Sequence, residues 1–339
     1  MEMEKKEDEL NFLNYQLKTT INIHNHSVTI VLILKDSRFA SSSGDKSIKI
    51  FNRNTYEIDI VINEHTHYAS HITQLRDERL VSASSDNTIK IFTLFEKSYQ
   101  VDQVINEHTN RLRKTIELNN NYLVSCSWDK TIKIWNKNEN NLYELKQNIV
   151  EENEIDSVFE LNDSEIFSLS FFEKKLIFYK LNNNNLFEKK NSIDNTTFSG
   201  FVNNFVKLND NTFLIGGPLR IYSIDIPTCK IKKTYIFEDE VYSIYFFQNL
   251  YLSKDGYLFV GCETDIIQFK VSEDNIELIV QVENVHEENE HENWRVISCI
   301  FEDENGDMIT SSYDGTIKIW SPKNEKIEKS LDTPEIKNK

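Results

Sequence analysis

The residues of this 339-residue chain best suited to chemistry are histidines, serines and aspartates that recur together. His24, Ser41 and Asp45 come first, then His65, Ser82 and Asp86, then His108, Ser125 and Asp129. In each trio 21 residues separate His from Asp, and the Ser lies four before the Asp. An imidazole between a carboxylate and a hydroxyl is the arrangement that activates a serine nucleophile. The same three groups can instead pin a loop, because a carboxylate accepts from turn N–H groups and from an imidazole whose other nitrogen meets the hydroxyl. Other chemical strings are weaker. HEENEH at 286–291 has its histidines five apart, whereas HExxH needs four to place both on one helical face. DENGD at 303–307 begins like a calcium loop but lacks the later Glu ligand. There is no GxxxxGK and no GxSxG, and only 8 glycines are available. No catalytic residue, metal site or cofactor is therefore assigned.

The elements that must position these residues are repeated. Residues 21–51, 62–92 and 105–135 overlay almost without gaps after shifts of 41 and 43, and a fourth copy spans 296–320. Each copy reads as an aliphatic strand, a polar turn, a second short strand, an Asp-containing turn, and an alternating strand ending IKIF or IKIW. Another strand precedes each copy, at 15–23, 56–63 and 99–106. Four short strands per period of little over forty residues is the pattern of a β-propeller.

The strings SSSGDKSIKIF, SASSDNTIKIF, SCSWDKTIKIW and TSSYDGTIKIW, with NEHT ahead of two of them, resemble the WD-repeat family, Asn-Glu-His standing in place of its Gly-His. The resemblance places His24, His65 and His108 at the family's His, and Asp45, Asp86, Asp129 and Asp314 at its turn Asp. Ser41, Ser82, Ser125 and Thr310 fall at its hydroxyl position. Trp135 and Trp320 fall at its terminal Trp, where Phe51 and Phe92 are substitutes. In the last copy His291, 23 before Asp314, is taken as the matching His. On this reading the His–Ser/Thr–Asp sets are structural, and blades ending in Phe have a network one bond shorter.

Between 136 and 270 the pattern fades. Residues 155–179, 196–222 and 241–269 keep strands but lose the His and turn Asp, with Gly216, Gly217 and Pro218 tightening one turn. Terminal aromatics at Phe51, Phe92, Trp135, Tyr179, Tyr222, Phe269 and Trp320 count seven blades. The expectation is an all-β, seven-bladed propeller of four-stranded antiparallel blades. Residues 1–14 form a charged extension, 15–320 the propeller, and 321–339 a tail. An open ring would leave edge strands exposed, so 15–23 is expected to pair with the last blade; residues 326–331 compete for that place. Asparagine tracts such as 182–185 read as low-complexity loop insertions.

The net charge of −17 and pI near 5.0 exclude the basic footprint of a nucleic-acid binder and disfavour anionic membrane. The first residues lack the apolar stretch of a signal peptide, and no apolar run would span a bilayer. Cys126, Cys229, Cys262 and Cys299 form no CxxC pair and read as reduced thiols, which points to the cytosol or nucleus. In WD-repeat proteins partners dock on the face bearing the Asp turns, which the resemblance places around Gly44, Ser85, Trp128 and Tyr313. Trp128 and Tyr313 are the leading candidates, with His67, Tyr68, Arg111, Arg113, Trp294 and Arg295 on the entering loops. The acidic loop 283–292 borders that face and suits a basic peptide. The expected function is a non-catalytic scaffold for proteins or peptides, a monomer within a larger complex. The alternatives are a substrate-recognition subunit of a ubiquitin ligase or, from another class, a propeller enzyme with titratable groups lining its channel.

Overall fold

The computed structural model describes residues 11–12, 15–170, 174–194, 204–217, 219–237, 249–272, 275–286 and 296–323. They form seven antiparallel sheets arranged as blades, each ordered from an inner strand to an outer one. The third blade sets the pattern: Leu112–Glu117, Leu123–Ser127, Thr131–Lys137 and Tyr143–Val150. Inner strands of successive blades touch one another around the axis.

Residue type follows position in the blade. The second strand has a neighbouring blade on both faces and is buried at every residue in FASSS, LVSAS, LVSCS and MITSS. Such a strand cannot alternate polar and apolar, and it carries small side chains where the blades press closest. Outer strands show one face to solvent and do alternate, as in Tyr15–Asn22. The core is not one mass but seven clusters, each between two consecutive blades. Between the third and fourth, Val124, Ile132 and Ile134 pack on Val158, Ile166 and Tyr179.

The ring closes through the N-terminal strand. Tyr15–Asn22 pairs antiparallel with Thr316–Pro322, from Tyr15 opposite Pro322 to Asn22 opposite Thr316. It fills the outer position of the seventh blade, and the competing residues 326–331 lie outside the described residues. The last strand runs two residues past the expected boundary at 320. Lys18 meets Asp307 at 2.7 Å, and Arg53 of the first blade bridges Asp303 and Glu304 of the seventh.

Two polar ladders hold neighbours together. On one end, the backbone N–H of Lys35, Arg76 and Asn119 donates to Gln74, Glu117 and Glu160 of the next blade, at 2.8, 2.6 and 2.7 Å. At the circumference Gln103 clamps the backbone N–H and C=O of Tyr143, and Gln147 does the same to Phe187. The asparagine tract is an ordered turn rather than filler. Asn182 Oδ1 accepts from the N–H of Asn184 and Leu186, and Asn185 takes φ 57°, a left-handed conformation that Asn tolerates better than most residues.

Candidate functional site

The loop end bearing the Asp turns is built from the trios. In the third blade His108 Nδ1–H donates to Asp129 at 2.7 Å, Ser125 Oγ–H donates to His108 Nε2 at 2.8 Å, and Trp135 Nε1–H donates to Ser125 at 2.9 Å. That chain of single donors needs a neutral imidazole protonated on Nδ1. Asp129 also collects the N–H and hydroxyl of Thr131 and the N–H of Thr109, at 2.9, 2.6 and 3.0 Å. Burial pushes the Asp129 carboxyl up, but bonds from His108 and Thr131 outweigh it and hold it far below the usual carboxylate range. His24–Asp45 and His65–Asp86 repeat the geometry at 2.8 and 2.9 Å, and their serines lack a terminal indole. Burial lowers the His24 pKa below the ordinary imidazole value, its hydrogen bond to Asp45 only partly offsetting this. Ser41, Ser82 and Ser125 are fully buried, so their hydroxyls hold the blade together where no substrate reaches them.

The seventh blade departs from expectation. Its histidine is His286, not His291: Nδ1 lies 2.9 Å from Asp314 and Nε2 2.9 Å from Thr310, which takes the Trp320 indole at 3.1 Å. The histidine is fixed by its distance from the preceding outer strand, a few residues after Val282, and the extra loop length lies downstream of it. His291 falls outside the described residues.

The fourth blade also keeps a network, in altered residues. Tyr179 Oη donates to Glu151 at 2.9 Å and lies 3.1 Å from Ser168. Glu151 stands where the histidine would, 43 residues after His108. Sequence matching missed it because a carboxylate and a phenol replace an imidazole and an indole.

Around the channel mouth, the residue before each inner strand accepts from the residue before the turn Asp: Gly44 N to Ser27 O, Ser85 to Tyr68, Trp128 to Arg111, Tyr313 to Val296, at 2.8 to 3.0 Å. A Cβ on Gly44 would lie 2.2 Å from His26 Nδ1, so any side chain there would have to displace the imidazole. The His26 ring sits 5.0 Å from that of Tyr68, which also contacts His67 at 4.7 Å. Trp128 is half-buried: its indole N–H donates to Asp156 of the next blade at 2.9 Å, while Arg111 and Arg113 lie over its ring at 5.4 and 5.5 Å. Tyr313 is half-buried on the seventh blade. Thus His67 and Tyr68 pair on the second blade, Tyr68 also meeting His26 of the first, while Arg111 and Arg113 gather on Trp128 of the third. Trp294, Arg295 and residues 287–292 of the acidic loop lie outside the described residues.

Deeper in the channel, His71 and Lys114 occupy matching positions on inner strands. Burial, then the charges of Lys114 and Arg113, drives the His71 pKa well down; burial lowers Lys114 to about 7, its amine 3.7 Å over the Phe159 ring. Among the described residues no three His, Cys, Asp or Glu side chains converge as a metal site would need.

The family model described as WD domain, G-beta repeat matches residues 15–52, 103–136 and 283–321. The chain is a seven-bladed β-propeller in which three segments match the WD repeat. The crystal structure of the WD40 β-propeller domain of Doa1 is similar to it, with a TM-score of 0.71 over 91% of this chain and 98% of that one, at 18% identity. No curated protein matches the sequence. WD40 propeller domains generally bind other proteins, and the 283–321 match spans both His286 and Asp314 of the closing blade.

Proposed function

We propose that this chain is a non-catalytic scaffold that docks partner proteins or peptides on the loop end carrying the Asp turns. The observation that supports this most is the division of labour there. The titratable trios are consumed in holding loops, while Tyr68, Arg111 and Trp128 remain solvent-accessible on rigid blades. A propeller enzyme would need channel groups paired as nucleophile and base; the Thr73 hydroxyl, 3.4 Å from His71 Nδ1, donates instead to the Thr115 carbonyl at 2.6 Å, and burial pushes the Cys126 thiol opposite Lys114 up, away from the thiolate. The free cysteines suit a reducing compartment, cytosol or nucleus. The earlier expectation of a basic ligand is not carried forward, because the described part of the face presents cations.

The test is affinity purification of wild type beside a Trp128→Ala, Tyr313→Ala double variant, with circular dichroism to confirm that the variant folds. Partners recovered by wild type and lost by the folded variant are expected. An unchanged partner set would sink the assignment of this face. Partner identity would also decide whether the complex is a ubiquitin ligase.

A further inference from the structure

At the second and third blades the described inner rim of the loop end carries donors, on an otherwise acidic protein. The Tyr68 N–H donates to His67 Nδ1 at 2.9 Å, so the His67 proton sits on Nε2 and the ring is a donor toward the ligand side. Arg111 is exposed and, among the described residues, makes no ion pair; its guanidinium lies against the Trp128 ring. Arg113 reaches the same ring by a specific device. Each inner strand carries a bulge between its first and third residues in the first, second, third and seventh blades. The extra residue is Thr29, Ser70, Arg113 or Ser298. Three of these are hydroxyls that meet a serine, at 2.7 Å to Ser42, 3.2 Å to Ser85 and 2.9 Å to Ser311. Only the third blade of the four substitutes an arginine, and a bulge is a place where a strand re-aims a side chain.

Among the described residues, the carboxylates on the loops beside Arg111 are placed elsewhere. Glu107 follows the outer strand Tyr99–Ile105, and Glu152 follows Tyr143–Val150, so both start their loops at the outer rim. Glu154 lies further along the second loop, and Asp156, at its inner end, is buried with Oδ1 on the Trp128 indole. Arg111 and Arg113 both lie against the Trp128 indole, and a guanidinium takes an oxyanion through a planar pair of N–H donors.

We propose that Arg111, Arg113 and Trp128, flanked by His67 and Tyr68, recognise an acidic peptide segment through its carboxylate or phosphate groups. This rests on the docking role of the loop end. The surrounding net charge of −17 repels such a segment at long range, so recognition is short-range and selective for anions that reach the inner rim.

Fluorescence anisotropy with labelled ten-residue peptides tests it, using the full chain and four probes: glutamate-rich, phosphoserine-containing, lysine-rich, and neutral Gly/Ser. The expected result is binding of the glutamate or phosphoserine probe, weakened at least tenfold by Arg111→Glu and by Arg111→Ala with Arg113→Ala. Preference between the two acidic probes separates carboxylate from phosphate as the source. Acidic-probe binding that Arg111→Glu leaves unchanged would overturn the inference. Lysine-rich binding abolished by Trp128→Ala would also overturn it while leaving the docking reading intact. Binding of no probe, together with an unchanged partner set in the Trp128→Ala, Tyr313→Ala variant, would remove both. Thermal unfolding of each variant separates loss of binding from loss of fold.

Discussion

A buried histidine between a serine and an aspartate owes its meaning to what else touches each atom. Asp129 receives four bonds, from His108, from the hydroxyl and N–H of Thr131, and from the N–H of Thr109. Such an acceptor holds two loops at once. Asp129→Ala leaves the imidazole and the turn N–H groups without it, and is expected to destabilise the protein by about 3 kcal/mol, the low end for removing one partner of a buried charged pair. Asp129→Asn, which can still accept, should cost roughly half as much on the same scale. Urea unfolding followed by tryptophan fluorescence measures both, and equal stability of wild type and Asp129→Ala would refute a structural role. At this scale His24, His65 and His108 were legible because their spacing to Asp repeats. His286 was not, since spacing to Asp is the wrong ruler: the imidazole is set by the strand before it, and HEENEH offered a second histidine closer to the expected gap.

Strands were legible where the IKIW pattern recurs and less so in the middle blades. There, substitutions keep the chemistry and lose the letters. Glu151, Ser168 and Tyr179 do in the fourth blade what His, Ser and Trp do in the third. Bulges left no sequence signal, because an extra Thr, Ser or Arg in a strand looks like any other residue. Closure was legible from the likeness of 15–23 to the other outer strands, and it carries a sharp consequence. Without residues 1–22 the strand Thr316–Pro322 becomes an unpaired edge, and the cluster holding Ile309, Ile317 and Ile319 loses Ile21. Exposed edges of this kind invite intermolecular pairing. The truncated chain is expected to aggregate or to lose its cooperative transition. Fusing residues 15–23 after residue 323, through a short Gly/Ser linker, should restore a soluble monomer by size-exclusion chromatography. A truncated chain that unfolds with the wild-type midpoint would show that the strand is dispensable.

Across the whole molecule, stability is a sum of seven similar interfaces, so titrating groups buried within individual blades add to a common pH profile. His24 and His286 have folded-state pKa values lowered by burial. The unfolded chain binds their protons first, so their contribution is complete above pH 6.5 and is lost as pH falls through the folded values. Asp45, Asp86, Asp129 and Asp314 have depressed values, and their contribution is present above the ordinary carboxylate pKa of 3.8 and fades further into acid. Lys114 acts on the other side of neutrality. Burial lowers it from 10.5 to about 7, so between those values the unfolded chain holds a proton that the folded chain does not, and stability rises with pH. The three sets have the same sign and occupy adjoining windows. Urea midpoints are therefore expected to climb from about pH 5 to about pH 8; above that the thiols of Cys126, Cys262 and Cys299, whose pKa values burial raises, ionise first in the unfolded chain and work against the climb. Lys114→Met removes only the upper window: the variant should be more stable than wild type at pH 7, with the difference shrinking toward pH 9.5, while the acid limb stays as it was. A Lys114→Met variant whose stability difference from wild type is the same at pH 7 and pH 9.5 would mean that the Lys114 amine is already charged and solvated in the folded channel. The cluster of His71, Lys114 and Arg113 would then be a hydrated cationic lining continuous with the rim above it, rather than a packed wall.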